Sequence, residues 1–274
     1  MTDDPSEPGE PQLAFTKAEW EEAMPTLTLA MTSHLKRYRT PLFIDHGDYG
    51  EPWGSGSFLQ LGERKFVLTN EHVAKVRRSG ARLGVRLEGQ DNLMVLVGDH
   101  VELPWPWDLA LIPVSDAAWT AVDHTSLAIS VDQIFPVHAA APTEVFAFSG
   151  YAGERTHFVF GEMQFGASTS LAREVELGPD PEVDPRFHFG LAYLPDLATL
   201  VVGDRGLPDP HGMSGSTVWN TRFVEAKLNG QVWSPELATV TGVVFGWPSG
   251  QGAIAAIRAE HVRSFLLGAT TADF

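Results

Sequence analysis

From residue 41 onward the chain breaks into short runs of β-branched and aromatic residues set between Gly, Pro and Asp turns. The runs are Pro41 to Asp45, Gly56 to Leu61, Lys65 to Thr69, Arg82 to Leu87 and Leu93 to Gly98, then Glu144 to Ser149, His157 to Gln164, Arg186 to Leu191, Thr217 to Asn220 and Thr239 to Gly246. Many short strands with turn signals between them predict barrels or a sandwich. At 274 residues the chain fits one large all-β unit or two small domains. A seam is expected between residues 115 and 140. The segment 171 to 210 is rich in Pro, Asp and Glu and reads as a long loop system.

The two ends read differently. Residues 1–14 carry Asp, Glu and Pro and are expected to be a disordered acidic tail. Thr16-Lys17-Ala18-Glu19 is a capping box that starts a helix, and Pro25 is expected to start a second one. Leu27, Met31, Leu35 and Tyr38 fall on one face of that second helix, so this lead-in (15–40) is expected to pack on the core. Ala259 to Gly268 reads as a short amphipathic helix with a glycine stop.

Charge and composition exclude several function classes. The chain has 35 acidic against 19 basic residues, net −16. Phosphate backbones need clustered Lys and Arg, so nucleic acid is not expected as a partner. The one basic run, Lys75-Val76-Arg77-Arg78, reads as a solvated turn. There are no cysteines, hence neither disulfides nor thiolate metal sites, which suits a reducing compartment. Met1 to Pro5 lacks a secretory pattern, and no apolar stretch is long enough to span a bilayer. The expectation is a cytoplasmic protein without a membrane partner.

Three short motifs then occur in one order. His72 lies in Leu68-Thr69-Asn70-Glu71-His72-Val73, Asp108 in Trp107-Asp108-Leu109-Ala110-Leu111-Ile112, and Ser214 in Gly212-Met213-Ser214-Gly215-Ser216. A serine hydroxyl is a poor nucleophile at neutral pH and needs an adjacent base. Histidine suits that task because its ordinary pKa of about 6.5 allows it to take a proton and return it. A carboxylate fixes the imidazole tautomer and stabilises the imidazolium. The oxyanion needs backbone N–H donors, and Gly212 and Ser214 are the candidates. Asp99 and Asp116 stand as replacement acids if Asp108 is an ordinary strand-edge residue. The remaining histidines show no His-x-x-x-His spacing, so no metal is expected. His211, directly before Gly212, is a candidate rim residue. Trp105 and Trp107, beside Asp108, read as packing groups.

As a set these motifs resemble the chymotrypsin/trypsin-like serine peptidases of the cysteine-free bacterial type. Gly54-Ser55-Gly56-Ser57-Phe58 followed by Phe66 to Val73 is similar to that family's strand, strand and histidine turn. Asp108-Leu109-Ala110-Leu111 resembles its aspartate motif, and Gly212 to Ser216 its Gly-x-Ser-Gly-Gly signature. Thr241-Gly242-Val243-Val244-Phe245-Gly246 resembles its substrate-binding strand, and Gly252 to Ile257 plus the last helix resembles its ending. The resemblance spans roughly residues 41 to 268. It implies an all-β fold of two six-stranded antiparallel barrels, 41–125 and 126–274, with the active site between them.

It further implies a serine endopeptidase working through an acyl-enzyme, with His72 as base, Asp108 as orienting acid, Ser214 as nucleophile and no cofactor. The partner would be a protein or peptide substrate, with a regulatory protein partner as a further candidate. The substrate pocket would have Pro208 as its floor and Phe245-Gly246-Trp247 as its wall, favouring small or medium apolar residues before the scissile bond. A one-residue slip would place Asp209 at the base instead and favour Lys or Arg. Met213 stands where vertebrate members have an aspartate, which removes the acid that a freed N-terminal amine would pair with, and Ser216 replaces the second glycine. The alternative is a catalytically inactive, peptidase-like module that binds peptide by strand addition. An esterase of another fold is disfavoured, because its triad runs Ser, Asp, His and its elbow reads Gly-x-Ser-x-Gly.

Overall fold

A computed structural model describes residues 15–159, 162–201, 206–248 and 250–269. The expected acidic tail at 1–14 lies outside them. Residues Lys17–Leu35 form one helix, α1, opened by the capping box: the Thr16 hydroxyl accepts from Glu19 N–H, and Glu19 accepts from Thr16 N–H. Pro25 does not restart the helix but sits inside it. A mid-helix proline costs about 3 kcal/mol. Leu27, Met31 and Leu35 below it are each at most 3% exposed, and their burial offsets that cost.

The first sheet contains β1 (Arg39–Asp45), β2 (Gly50–Leu61), β3 (Arg64–Thr69), β4 (Arg82–Arg86), β5 (Leu93–Val95), β6 (Val101–Leu103), β7 (Leu109–Val114) and β8 (Ile129–Ser130). Two short helices interrupt it, α2 (Glu71–Ala74) and α3 (Asp116–Thr120). Its order is β5-β4-β1-β2-β3-β7-β6, antiparallel throughout except that β8 lies parallel to β2. The second sheet contains β9 (Phe146–Val159), β10 (Glu162–Ala172), β11 (Glu174–Val175), β12 (His188–Ala192), β13 (Thr217–Asn220), β14 (Thr239–Gly246) and β15 (Ala253–Arg258). It is ordered β10-β9-β13-β14-β15-β12-β11, and helices α4 (Phe223–Leu228) and α5 (Ala259–Ala269) complete the chain.

The fold is therefore all-β with two antiparallel sheets, in keeping with a double barrel. Strand counts differ from the expected six and six: the sheets hold 8 and 7 strands. The three extra members, β6, β8 and β11, are pieces of two or three residues that fall outside every run expected from the sequence. The run expected as one strand over His157 to Gln164 is instead the end of β9 and the start of β10, which pair as Val159 with Glu162. Within 171–210, strand β12 is held between β15 and β11.

Three buried clusters explain the runs seen in the sequence. Val67, Ala110, Ile112 and Phe58 point into the first sheet's own core. Their strand neighbours Phe66, Leu68, Leu109, Leu111 and Leu59 point the other way, into a second core shared with α1, α5 and the strands of the second sheet. Successive strand residues face opposite sides, so strands buried on both faces read as continuous apolar runs. The shared core also holds Trp219, Val243, Ile257, Val262 and Phe265, and it locks the two sheets together below the cleft.

Candidate active site

The histidine side of the cleft is built on the first sheet. Asn70 follows β3 as the N-cap residue of α2, and His72 lies in that helix's single turn. Opposite, the Trp105–Pro106 peptide is cis and Asp108 has φ 42°, a left-handed backbone uncommon for a side-chain-bearing residue. Four hydrogen bonds hold it there. Asp108 N–H donates to Pro104 O at 3.2 Å, and Asn70 Nδ2 donates to Asp108 O at 2.8 Å. The carboxylate accepts His72 N–H at 2.9 Å on Oδ1 and His72 Nδ1 at 2.7 Å on Oδ2. An ionised carboxylate only accepts, so the imidazole proton is assigned to Nδ1 and the Nε2 lone pair is free. Asp108 is 6% exposed. Of the two replacement acids, Asp116 lies 4.0 Å from Lys65, and Asp99 is close enough to Arg77 to favour its charged form.

A second histidine braces this loop from the other sheet, and sequence reasoning missed it. His188 of β12 accepts Asp184 N–H at Nδ1 (2.9 Å) and donates from Nε2 to Pro106 O (2.9 Å). It is 1% exposed, and burial holds its pKa below the ordinary histidine value. Nothing in the sequence spacing pairs residue 188 with residue 106; the contact exists only because the sheets meet.

The serine side belongs to the second sheet, in the turn before β13. Its carbonyls are all engaged. His211 O accepts Gly153 N–H at 2.9 Å, Gly212 O accepts Ser55 Oγ at 2.7 Å, Met213 O accepts Ser216 N–H at 3.1 Å, and Ser214 O accepts Ser55 N–H at 3.0 Å. Met213 N–H donates to Pro210 O and Gly215 N–H to Val244 O, each at 2.9 Å. Among the described residues the amides of Gly212 and Ser214 donate to no acceptor. Both flanking glycines are needed. Gly212 has φ +93° and a Cβ there would fall 2.7 Å from Tyr151 O; Gly215 has φ +91° and its Cβ would fall 2.0 Å from Ser55 O. Met213 is fully buried among Phe146, Phe148 and Tyr193.

The two sides face one cleft of about 350 Å³. His72 and Ser214 both line it, with Gly212, His211, Gly246 and Trp247. Trp53, Val73, Pro210, Val244 and Ile254 complete the lining; of these only Val244 lay in a segment expected to bind substrate. Trp53 is fixed as a wall by its indole N–H, which donates to Val73 O at 2.9 Å. A neighbouring depression of about 300 Å³ shares Trp53, His211 and Gly212.

Three residues expected at the substrate pocket lie elsewhere. Pro208 is buried outside the lining, and its carbonyl accepts the Tyr193 hydroxyl at 2.6 Å. Asp209 accepts His211 N–H at 2.9 Å and also bonds the His211 ring; the amide bond first, then the ring, lower its pKa. Phe245 sits in a bulge of β14, where the register slips between Val244 and Gly246. The bulge turns its ring onto His188, centroids 4.2 Å apart, and offers its carbonyl to the Ser214 hydroxyl, which donates to it at 3.3 Å. Of the two tryptophans beside Asp108, Trp107 packs, meeting Phe187 edge-on at 5.1 Å, whereas Trp105 is exposed and its indole N–H donates to Glu182 O.

No helix among the described residues is long and apolar enough to cross a membrane. No protein-family model and no curated protein sequence matches the chain. Solved structures do. The Rv3671c protease from M. tuberculosis, in its active form, aligns with 89% of this chain and 86% of its own, at 20% identity and a TM-score of 0.49. The serine protease domain of the Sesbania mosaic virus polyprotein aligns with 84% of this chain and 92% of its own, at 12% identity and a TM-score of 0.47. At these identities the likeness is one of backbone course alone.

Proposed function

We propose that this chain is a serine endopeptidase that cleaves peptide bonds through His72, Asp108 and Ser214. One observation carries the reading: a doubly bonded His72–Asp108 pair and Ser214 share a cleft in which the Gly212 and Ser214 amides are uncommitted. In the proposed reaction the Ser214 hydroxyl rotates from Phe245 O to His72 Nε2 and attacks the scissile carbonyl carbon. His72 takes the proton and becomes an imidazolium held by Asp108. The new oxyanion is met by the two amides, each worth on the order of 3 kcal/mol of barrier. Collapse expels the amine with the His72 proton, and water then cleaves the Ser214 ester by the same steps in reverse order of partners.

The lining supports a preference for small or medium apolar residues before the scissile bond, because Val244, Ile254 and Pro210 are apolar and Trp247 closes one side. Asp209 already has a partner in His211, which argues against a charge-selecting pocket base. Peptides ending in Ala, Val, Leu, Phe, Lys or Arg before a reporter group test this: a tenfold preference for Lys or Arg, lost in Asp209→Ala, would refute the apolar pocket.

The second reading is an inactive module that binds peptide in the cleft. The 3.3 Å bond from Ser214 to Phe245 O favours it, since the nucleophile is turned from its base. Catalytic hydrogen bonds are commonly loose without substrate, so the peptidase reading stands ahead. A fluorophosphonate probe separates the two. Labelling of Ser214 in folded wild type, absent in His72→Ala, is the peptidase outcome; an unlabelled folded protein selects the binder.

A further inference from the structure

The nucleophile loop belongs to the second sheet, yet two of its carbonyls are held by one residue of the first. Ser55, in β2, is 1% exposed, and each of its polar groups is engaged. Its N–H donates to Ser214 O at 3.0 Å and its Oγ donates to Gly212 O at 2.7 Å. The same Oγ accepts Tyr151 N–H at 2.9 Å, and the Ser55 carbonyl accepts Thr69 Oγ1 at 2.8 Å. Ser55 therefore holds the carbonyls on both sides of Met213, while Thr69 ties it to the strand that leads into His72.

We propose that Ser55 is a positioning residue for the chemistry: its hydroxyl holds the Gly212 carbonyl toward β2 and so keeps the Gly212 and Ser214 amides aimed at the developing oxyanion. The proposal rests on the peptidase reading above. Its logic is geometric. A peptide group is planar, so fixing Gly212 O fixes the 212–213 plane, whose N–H end is already held by Pro210 O. The Gly212 amide lies in the 211–212 plane, which Gly153 N–H holds through His211 O, and the Ser214 amide lies in the 213–214 plane, which Ser216 N–H holds through Met213 O. Because Gly212 is free to rotate, the fixed 212–213 plane between them is what sets the angle at which the two amides converge. The position needs a group that donates to a carbonyl and accepts from an amide at once. A hydroxyl does both, and alanine does neither.

The matched control is Ser57, two positions along β2, equally buried at 1%, whose Oγ bonds Thr217 Oγ1 at 3.0 Å and, among the described residues, makes no hydrogen bond to residues 211–215. Wild type, Ser55→Ala and Ser57→Ala are compared for kcat, KM, melting temperature and inhibition by a peptide aldehyde, which forms a tetrahedral oxyanion on Ser214. Ser55→Ala is expected to lose roughly 10- to 100-fold in kcat, less than the roughly 10²–10³ for deleting a donor outright. KM should stay near wild type, and aldehyde affinity should fall by the same factor as kcat. Ser57→Ala should lose thermal stability alone. If Ser55→Ala does not fold, Ser55→Cys replaces it, with a weaker donor of similar shape and a smaller fall in the same two readouts. Active wild type with unchanged kcat and aldehyde affinity in the folded Ser55 variant overturns the assignment of Ser55 alone. Inert wild type that resists fluorophosphonate overturns the peptidase reading, and this proposal with it.

Discussion

The two walls of the cleft are finished to different degrees. On the first-sheet wall, Asp108 has its amide, its carbonyl and both carboxylate oxygens bonded, and His72 is held at two points. On the second-sheet wall, every carbonyl from His211 to Ser214 is bonded, while two amides are left over. Buried or crowded amides normally find acceptors. Among the described residues this turn satisfies all its acceptors and spares two donors, the arrangement that the proposed reaction needs for its oxyanion. The first wall fixes the orientation of an imidazole; the second leaves hydrogen-bonding capacity unused.

That contrast can be broken from either side. The largest effect is expected from Ser214→Ala and His72→Ala, each lowering turnover by about 10⁶-fold, the scale known for removing either member of such a pair. The double variant should be no slower than either single one, measured as kcat with folding checked by circular dichroism; a further large drop would mean that the walls act separately.

Next comes Asp108→Asn, which keeps the shape but lets the wrong tautomer of His72 form, at a loss of about 10⁴-fold. If Asp108→Asn turns over normally while Asp99→Asn or Asp116→Asn does not, the orienting acid has been misplaced. On the other wall, Gly212→Ala drives a Cβ to 2.7 Å from Tyr151 O and so must shift a spare amide. A fall of about 10²–10³-fold in kcat is expected, read alongside KM, which should move little.

The smallest effect concerns pH. Burial lowers the pKa of His188 in the folded state below its value of about 6.5 in the unfolded chain. The folded protein therefore binds fewer protons than the unfolded one just below that pH, so stability is complete above about 6.5 and is lost as pH falls toward the folded pKa. His34 is shifted in the same direction, also by burial. Denaturation midpoints between pH 7 and 5 should fall, less steeply in His188→Gln, and equal slopes would remove His188 from the account.

The motif around Ser214 was readable because its meaning is local: the glycines at 212 and 215 shape a single turn, whereas Asn70, in the motif around His72, acts at a distance by holding Asp108 O. The apolar face of α1 was readable for the same reason, since helical spacing is local even across Pro25. What could not be read depends on packing between distant segments. Pro208 was expected in the pocket by counting back from Ser214, but that count ignores how the loop folds over Tyr193; Pro210 lines the cleft instead. Ile254 reaches it from β15, Trp53 from β2, and the bulge that withdraws Phe245 is visible only in the pairing of β14 with β15. His188 and Ser55 act on the opposite sheet's loop, and contacts of that kind leave no trace in spacing.

The shared core has a consequence for survival. Because α1 and α5 pack into one cluster with strands of both sheets, opening either sheet along that side exposes apolar surface belonging to both. Partial openings then carry free energies close to that of global unfolding. For the peptidase proposed above, an unravelled strand of another copy would be a substrate. A fold that melts as one piece offers its neighbours few such strands, so resistance to self-digestion would come from the cooperativity of the core rather than from any inhibitor.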